Sequence, residues 1–421
     1  MNAIPANLLA NRRVLLGVTG SISAYKAPQI ARLLIKAGAE VRVVMTPAAE
    51  RFVGALTFEA ITRSPVLTET TESWVGDCNH IGFAKWAEVF AIAPASANTI
   101  NKLAHGAADN LLLQTALACR AAKVIAPAAN TNMIENPITQ ASIKLLKLND
   151  YAVVEAECGD LACGENGKGR LAEEETIFWQ IARALMTREF WRWRGVVITG
   201  GGTVEKIDDV RVLSNLSSGK MAVALARAGW LLGGDVCLIG TASDAALPVH
   251  HIRTESVGEL GENLAQALRE AKKGVLPPPS LIGQTQGVIK KTPLLLMAAA
   301  VSDYTPKNPQ IGKLKKSVLG DSWKLELVKT PDLLASTDKS GVFSVGFKAE
   351  MDEKAAYENA IEMKKIKKLD AVCLNVLGQN GVSFGSEHTR IRLIGAQEQT
   401  IEGDKLTAAI GILSALEKEF S

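Results

Sequence analysis

The stretch that most constrains this chain is Val89–Ala93, an apolar run without polar alternation that ends in Pro94-Ala95-Ser96-Ala97-Asn98. A strand in which every residue is apolar is covered on both faces, as in a parallel sheet between helices. The same signals recur along the chain. Arg13–Val18 reads as a strand; Gly17-Val18-Thr19-Gly20-Ser21-Ile22-Ser23 then leads to a helix reaching about Ala37 and stopped by Gly38. Ile30, Leu33, Leu34 and Ala37 form its core-facing stripe. Val41–Met45 leads to Thr46-Pro47, and Lys123–Ala126 ends in Pro127-Ala128-Ala129-Asn130. A helix from about Glu173 to Met186 closes this half, and Arg188–Arg194 reads as the junction. After Gly195 the alternation restarts with a strand, Val196–Thr199, and Gly200-Gly201-Gly202-Thr203. Ser214-Asn215-Leu216-Ser217-Ser218-Gly219-Lys220 opens a helix through Leu232, and further strands are expected at Asp235–Ile239, Leu294–Val301, Phe343–Gly346 and Ala371–Leu374. At 421 residues the chain exceeds one ordinary core, so two or more α/β domains are expected.

In open α/β sheets, ligands sit where strands end. Small residues and hydroxyls between strand and helix suit a phosphate, because amides at the helix start point at the anion; Thr19, Ser21 and Ser23 offer hydroxyl donors there. The turn is not G-x-G-x-x-G and no acidic residue ends the next strand, so a monophosphate such as that of FMN fits better than a dinucleotide. A tight glycine turn with capping hydroxyls is the plain alternative. Asn98 and Asn130 carry amides to the same edge or cap helices. His80 precedes its strand, so only the fold can bring it to that edge; alone, it reads as a surface or capping histidine. Cys158 and Cys163 are spaced C-x4-C with no second pair, which disfavours zinc, and the four glycines around them suggest a mobile lid. Gly219-Lys220 is followed by Met221, so it is not a Walker A loop. Lys313–Lys316 and Lys364–Lys368 are solvated charge runs or contacts for a triphosphate. Residues 272–292, with Pro277-Pro278-Pro279, read as a surface insertion.

A net charge of +3 gives no general argument for nucleic acid or membrane as partner. Met1–Arg13 lacks the layout of a secretory signal, and no window reaches transmembrane length. Six scattered cysteines are expected to be reduced, and a cytoplasmic location is expected.

The motifs together resemble the bifunctional family of coenzyme A synthesis, a phosphopantothenoylcysteine decarboxylase joined to a phosphopantothenate–cysteine ligase. The resemblance rests first on Gly17-x-Thr-Gly-Ser-Ile-Ser-Ala-Tyr-Lys26, Asn79-His80-Ile81, Ala93-Pro-Ala-x-Ala-Asn-Thr99, Pro127-Ala-x-Asn-x-x-Met133 and Ala162-Cys-Gly-x-x-Gly-x-Gly-Arg170. It continues with Ile207-Asp208, Val210-Arg211, Ser214-Asn-x-Ser-Ser-Gly-Lys-Met221, Ala299-Ala-Val-x-Asp303, Lys313-x-Lys-Lys316, Thr330-Pro-Asp332, Gly346-Phe347 and Phe384-Gly-Ser386. Ala129, Gly201-Gly202-Thr203 and Asn375-Val376-Leu377 depart from the family pattern. The resemblance implies a flavodoxin-like doubly wound flavoprotein domain over 1–190 and a Rossmann-like α/β ligase domain over 191–421. It further implies FMN, bound by Gly17, Thr19, Gly20, Ser21, Ser23, Thr46, Ser96 and Asn98, in a decarboxylation without net redox change. His80 maps to the base, Asn130 to the residue gripping the substrate carboxylate, and Cys163 to the acid on the lid. The ligase half is implied to join 4′-phosphopantothenate to L-cysteine with CTP and Mg2+ through an acyl-cytidylate on which Asn215 acts. Ala299, Asp303, Lys313, Pro331, Asp332, Leu333, Leu334, Phe347, Lys364 and Lys368 map to nucleotide contacts, while no magnesium ligand is assigned. A homo-oligomer with trimeric flavoprotein and dimeric ligase domains is expected. The alternative is a non-enzymatic flavoprotein regulatory subunit of the same fold.

Overall fold

The computed structural model describes residues 4–162, 164–283, 287–315, 319–351, 353–376, 386 and 388–420. The chain forms two compact units, Met1–Thr187 with Pro278–Gln286 and Arg188–Pro277 with Gly287–Ser421.

The first unit is built on six strands: β1 (Arg13–Val18), β2 (Glu40–Met45), β3 (Val66–Leu67), β4 (Val89–Ala95), β5 (Ala122–Pro127) and β6 (Ala152–Val153). They lie in the order β3-β2-β1-β4-β5-β6, and every pairing is parallel. Without the two-residue β3, this is the flavodoxin order, whose reversal point falls between β1 and β4. All seven residues of β4 are buried, as its unbroken apolar run requires. Phe90 and Ile92 pack there with Leu15, Ile125, Phe83 and Leu112; full burial of each such side chain contributes about 1.5–3 kcal/mol. The helix after β1 departs from expectation by starting as a 3-10 turn, Ile22–Lys26. The α-helix proper is Ala27–Lys36, with Pro28 in its first turn, where the missing N–H costs nothing.

The glycine-rich segment is not an open loop. β7 (Glu157–Asp160) and β8 (Asn166–Arg170) pair antiparallel. Ala129 N–H donates to Gly169 O at 3.1 Å, docking this hairpin on the end of β5. Gly169 has φ +142° and no room for a side chain beside the Ala129 carbonyl, and Gly167 is closed by Thr131. Those two glycines serve close approach rather than looseness.

The second unit repeats the plan. Its strands are β9 (Gly195–Gly200), β10 (Val204–Lys206), β11 (Val212–Ser214), β12 (Asp235–Gly240), β13 (His250–Arg253), β14 (Leu294–Met297), β15 (Tyr304–Pro306), β16 (Leu327–Lys329), β17 (Phe343–Glu350), β18 (Ala371–Val376), β19 (His388–Ile394) and β20 (Glu398–Asp404). The main sheet runs β13-β12-β9-β14-β17-β18-β19-β20, parallel through β18 and antiparallel beyond, while β10/β11 and β15/β16 are separate ribbons. Its first six strands have the doubly wound order with the reversal between β9 and β14. The strand expected over Leu294–Val301 stops at Met297. Ala298 and Ala300 then turn their amides to Thr199 O and Gly201 O, wrapping the end of β9. Residues 272 and 273 belong to the helix Val257–Lys273, so the inserted segment begins at its cap, Gly274, and is pinned by the Val275–Ile289 bridge.

Candidate active sites

In the first unit, parallel register sets the ends of β1, β2, β4 and β5 side by side. Each leads into a capped turn: Ser21 accepts from Ser23 N, Thr46 from Ala49 N, Ser96 from Thr99 N and Asn130 from Asn132 N. Helix starts therefore converge on the reversal point, a setting for an anion. The expectation of three free hydroxyl donors needs correction at Thr19. That side chain is fully buried, donates to Pro94 O at 2.7 Å and accepts from Ser96 N at 2.9 Å, stitching β1 to β4. Ser21 Oγ has a long contact to Ala128 O at 3.5 Å, and the half-buried Ser23 hydroxyl has no hydrogen bond among the described residues. Gly17 lies inside β1 rather than in the turn, and the space of its missing side chain is closed by Phe90 and Leu112. Gly20 packs on Ala48, and Asn98 is exposed on the first turn after Ser96.

His80 reaches the same edge through helix direction. The helix His80–Trp86 runs back to the start of β4, where Glu88 N bonds Arg13 O, so His80 stands at the opposite, carboxyl end. His80 Nδ1 lies 2.8 Å from Glu72 Oε1, and Trp74 packs edge-on at 5.5 Å between ring centroids. Asn130 donates from Nδ2 to Glu165 Oε2 at 3.3 Å, so the hairpin touches the strand end expected to bind substrate. The Thr131 hydroxyl is buried there without a partner among the described residues. Cys163 lies outside the described residues, while Cys158 is exposed on β7. Sequence reasoning missed Glu72, Trp74 and Glu165, which belong to no local pattern; only the fold sets them against His80 and Asn130.

At the second edge, Thr199 takes the place of Thr19, accepting from Ala299 N at 3.3 Å. Gly201, with φ +86°, fits against Thr241, and Asn215 Nδ2 donates to Val301 O at 3.1 Å. Ser302 N donates to Thr203 Oγ1, and Thr330 ties back through its N–H to Asp303 O and its hydroxyl to Ser302 O. Asp303 and Lys313 are exposed. Asp208 holds the loop carrying Lys313 by accepting from Leu314 N at 3.1 Å, while Arg211 donates to Leu314 O at 2.6 Å. Burial opposes ionisation of Asp208, but amides of Val210, Leu314 and Arg211 and the Arg211 charge outweigh it, holding the carboxyl below its ordinary range. Asp332 follows Pro331, caps the helix Leu333–Ser336 and pairs with Lys367 at 3.0 Å, bringing that stretch to the Lys364–Lys368 run. Leu333 and Leu334 are buried in the core, so ligand contact there falls to backbone. Lys364 donates to Gly395 O at 2.9 Å; Lys368 is exposed and Phe347 half-buried beside Gly346. Residues Lys316 and Phe384 lie outside the described set.

Two doubly wound sheets, each stitched at its reversal point by a buried threonine, define a protein with two ligand-binding α/β domains. A family model described as Flavoprotein matches residues 3–186, and one described as DNA/pantothenate metabolism flavoprotein C-terminal domain matches 191–276 and 280–419. The coenzyme A biosynthesis bifunctional protein CoaBC of Bacillus subtilis is 38% identical over 386 residues, covering 90% of this chain and 89% of its own. Its counterpart from Borreliella burgdorferi is 32% identical over 411 residues, covering 96% and 99%. A solved PPC decarboxylase mutant complexed with pantothenoylaminoethenethiol is 32% identical, with a TM-score of 0.38, covering 41% of this chain and 96% of that one. The chain belongs to the family of coenzyme A biosynthesis bifunctional proteins.

Proposed function

We propose that the chain is a bifunctional enzyme of coenzyme A synthesis, with the two activities dividing near 190/191. The second domain joins 4′-phosphopantothenate to L-cysteine at the expense of CTP, and the first decarboxylates phosphopantothenoylcysteine to 4′-phosphopantetheine with FMN. The carrying observation is that relatives of this family match about nine-tenths of the chain, with both family models in order. A flavoprotein regulatory subunit is not favoured, because it leaves the second domain without a role.

The first-domain edge suits FMN: converging helix starts, the Ser23 hydroxyl and the Thr131 hydroxyl, unpartnered among the described residues, offer donors to a phosphate and a polar ring. When bound, FMN supplies the electron sink that loss of carbon dioxide needs and that no side chain supplies. His80, hydrogen-bonded through Nδ1, accepts a proton at Nε2. Asn130 presents its amide to the substrate carboxylate, and Cys163 is assigned the returning proton on resemblance alone. In the second domain, Lys313 and Lys368 offer charge to a triphosphate, and Asn215 sits beside the strand end. Among the described residues no cluster of three or more His, Cys, Asp or Glu gathers to hold a metal. Mg2+ is read as arriving on the triphosphate and taking few protein ligands, with Asp303 an available exposed carboxylate. Exposed Ile22, Tyr25 and Leu56 support self-association of the first domain. No described helix is long and apolar enough to cross a membrane, and a cytoplasmic location is part of this reading.

The test is to give the purified protein phosphopantothenate, cysteine, CTP and Mg2+ and follow products by mass spectrometry. Formation of 4′-phosphopantetheine with carbon dioxide release is expected. Absence of the cysteine adduct, or no decarboxylation of adduct supplied directly, overturns the respective half.

A further inference from the structure

The segment Thr68–Asn79 lies between β3 and the helix His80–Trp86 and carries three carboxylates, of which Glu69 and Glu72 have distinct partners. Threonine hydroxyls lock its first turn: Thr68 N donates to Thr71 Oγ1 at 2.8 Å, Thr71 Oγ1 donates to Val66 O at 2.6 Å, and Thr71 N and Glu72 N both bond Thr68 O. Glu69 accepts from Leu111 N at the start of the helix Leu111–Ala118. The far end is closed by Ser73 N on Cys78 O and by Asn79, whose Nδ2 donates to Gly76 O and whose Oδ1 accepts from Gly82 N. Glu72 is thus fixed at both ends of its loop before it meets His80, at 2.8 Å from Nδ1. Both side chains are about three-quarters covered, at 24% and 21% exposure, and the Trp74 ring stands edge-on to the imidazole.

We propose that Glu72 is a positioning residue, which keeps the proton of neutral His80 on Nδ1 and leaves Nε2 as the basic nitrogen of the decarboxylase site. The chemistry is that of an ionised carboxylate, which only accepts, facing a ring with one proton to place. A donor on Nδ1 is favoured, so the lone pair falls to Nε2, and the ring is held against rotation. The threonine turn matters because a carboxylate on a loose loop would follow the imidazole rather than hold it. The role rests on the reading of His80 as the base, and the test separates the two.

Full-length protein labelled with 13C,15N-histidine is studied by magic-angle-spinning NMR above the imidazole titration. His80 is assigned among the five histidines by its loss in His80→Asn. The native spectrum is expected to show the Nδ1–H tautomer. Glu72→Ala should mix the tautomers and lower kcat for decarboxylation by about 10- to 100-fold with little change in KM, on the scale seen for partners that orient metal-bound histidines. Glu72→Asp should recover part of both signals, which a general loss of packing would not. An unmoved tautomer in Glu72→Ala overturns the proposal. A moved tautomer with unchanged kcat also overturns it, and the His80→Asn assay then tells why: a fully active His80→Asn means that the base was misassigned, an inactive one that orientation is not needed.

Discussion

Thr19 and Thr199 do one job in two domains. Each is fully buried near the end of the first strand of its sheet and takes an amide from the chain leaving the neighbouring strand across the reversal point. Thr19→Val keeps the shape and the Thr19 N–H bond to Pro94 O but leaves Ser96 N short of a partner, at a cost of about 1–3 kcal/mol. We expect a Tm several degrees lower and weaker FMN retention; an unchanged Tm and flavin content would refute the stitch. Asp208 carries a pH signature. Its folded carboxyl titrates below the ordinary value of about 3.9, so its bonds to the Lys313 loop stabilise fully above that value and are lost as pH falls through the depressed folded one. Asp208→Asn should therefore lower Tm more at pH 7 than at a pH well below the ordinary carboxyl value, read by calorimetry at both. Equal loss at the two pH values would remove ionisation from the account.

At the scale of elements, the β7–β8 hairpin shows where reading glycines by composition misleads. Gly167 and Gly169 lie in paired strands because Thr131 and the Ala129 carbonyl leave no room for a Cβ. Gly169→Val adds that clash to a backbone angle valine rarely adopts, a cost of roughly 1–3 kcal/mol that lifts the hairpin from Asn130. Decarboxylation should drop and protease cleavage near Cys158 should rise, with ligation unaffected; a hairpin as protease-resistant as the native one would count against the close approach. Elements with one strong local signal were legible beforehand: the buried runs of β1, β4 and β9, and the capped turns after β1 and β4. β19 was not, because it alternates buried Thr389, Ile391 and Leu393 with exposed Arg390 and Arg392 instead of forming an unbroken apolar run. His80 was recognisable as a residue, but its place at the carboxyl edge came from the direction of a helix, and its partner Glu72 from a loop with no motif. Lys364 shows the converse: the basic run was visible, yet its amine is engaged by a carbonyl, Gly395 O.

At the scale of the molecule, two domains with separate edges predict separable defects. Lys313 stands exposed on a loop held by Asp208 and Arg211, so Lys313→Gln removes a charge without removing its support. Ligation should fall on the order of 100-fold, as for loss of one group that stabilises developing charge, while decarboxylation of supplied adduct stays within about twofold. Matching losses in the two assays would mean that the halves are not independent. The first unit, however, is not continuous in sequence, since Pro278–Gln286 belongs to it and the Leu281 amide donates to Leu148 O. During synthesis its last helix, Glu174–Met186, is made about a hundred residues before that segment. At ribosomal speeds the gap is roughly 5–20 s, long compared with the folding of most small domains. The flavoprotein half therefore emerges able to fold yet one strap short, and its completion waits on the translation of its neighbour.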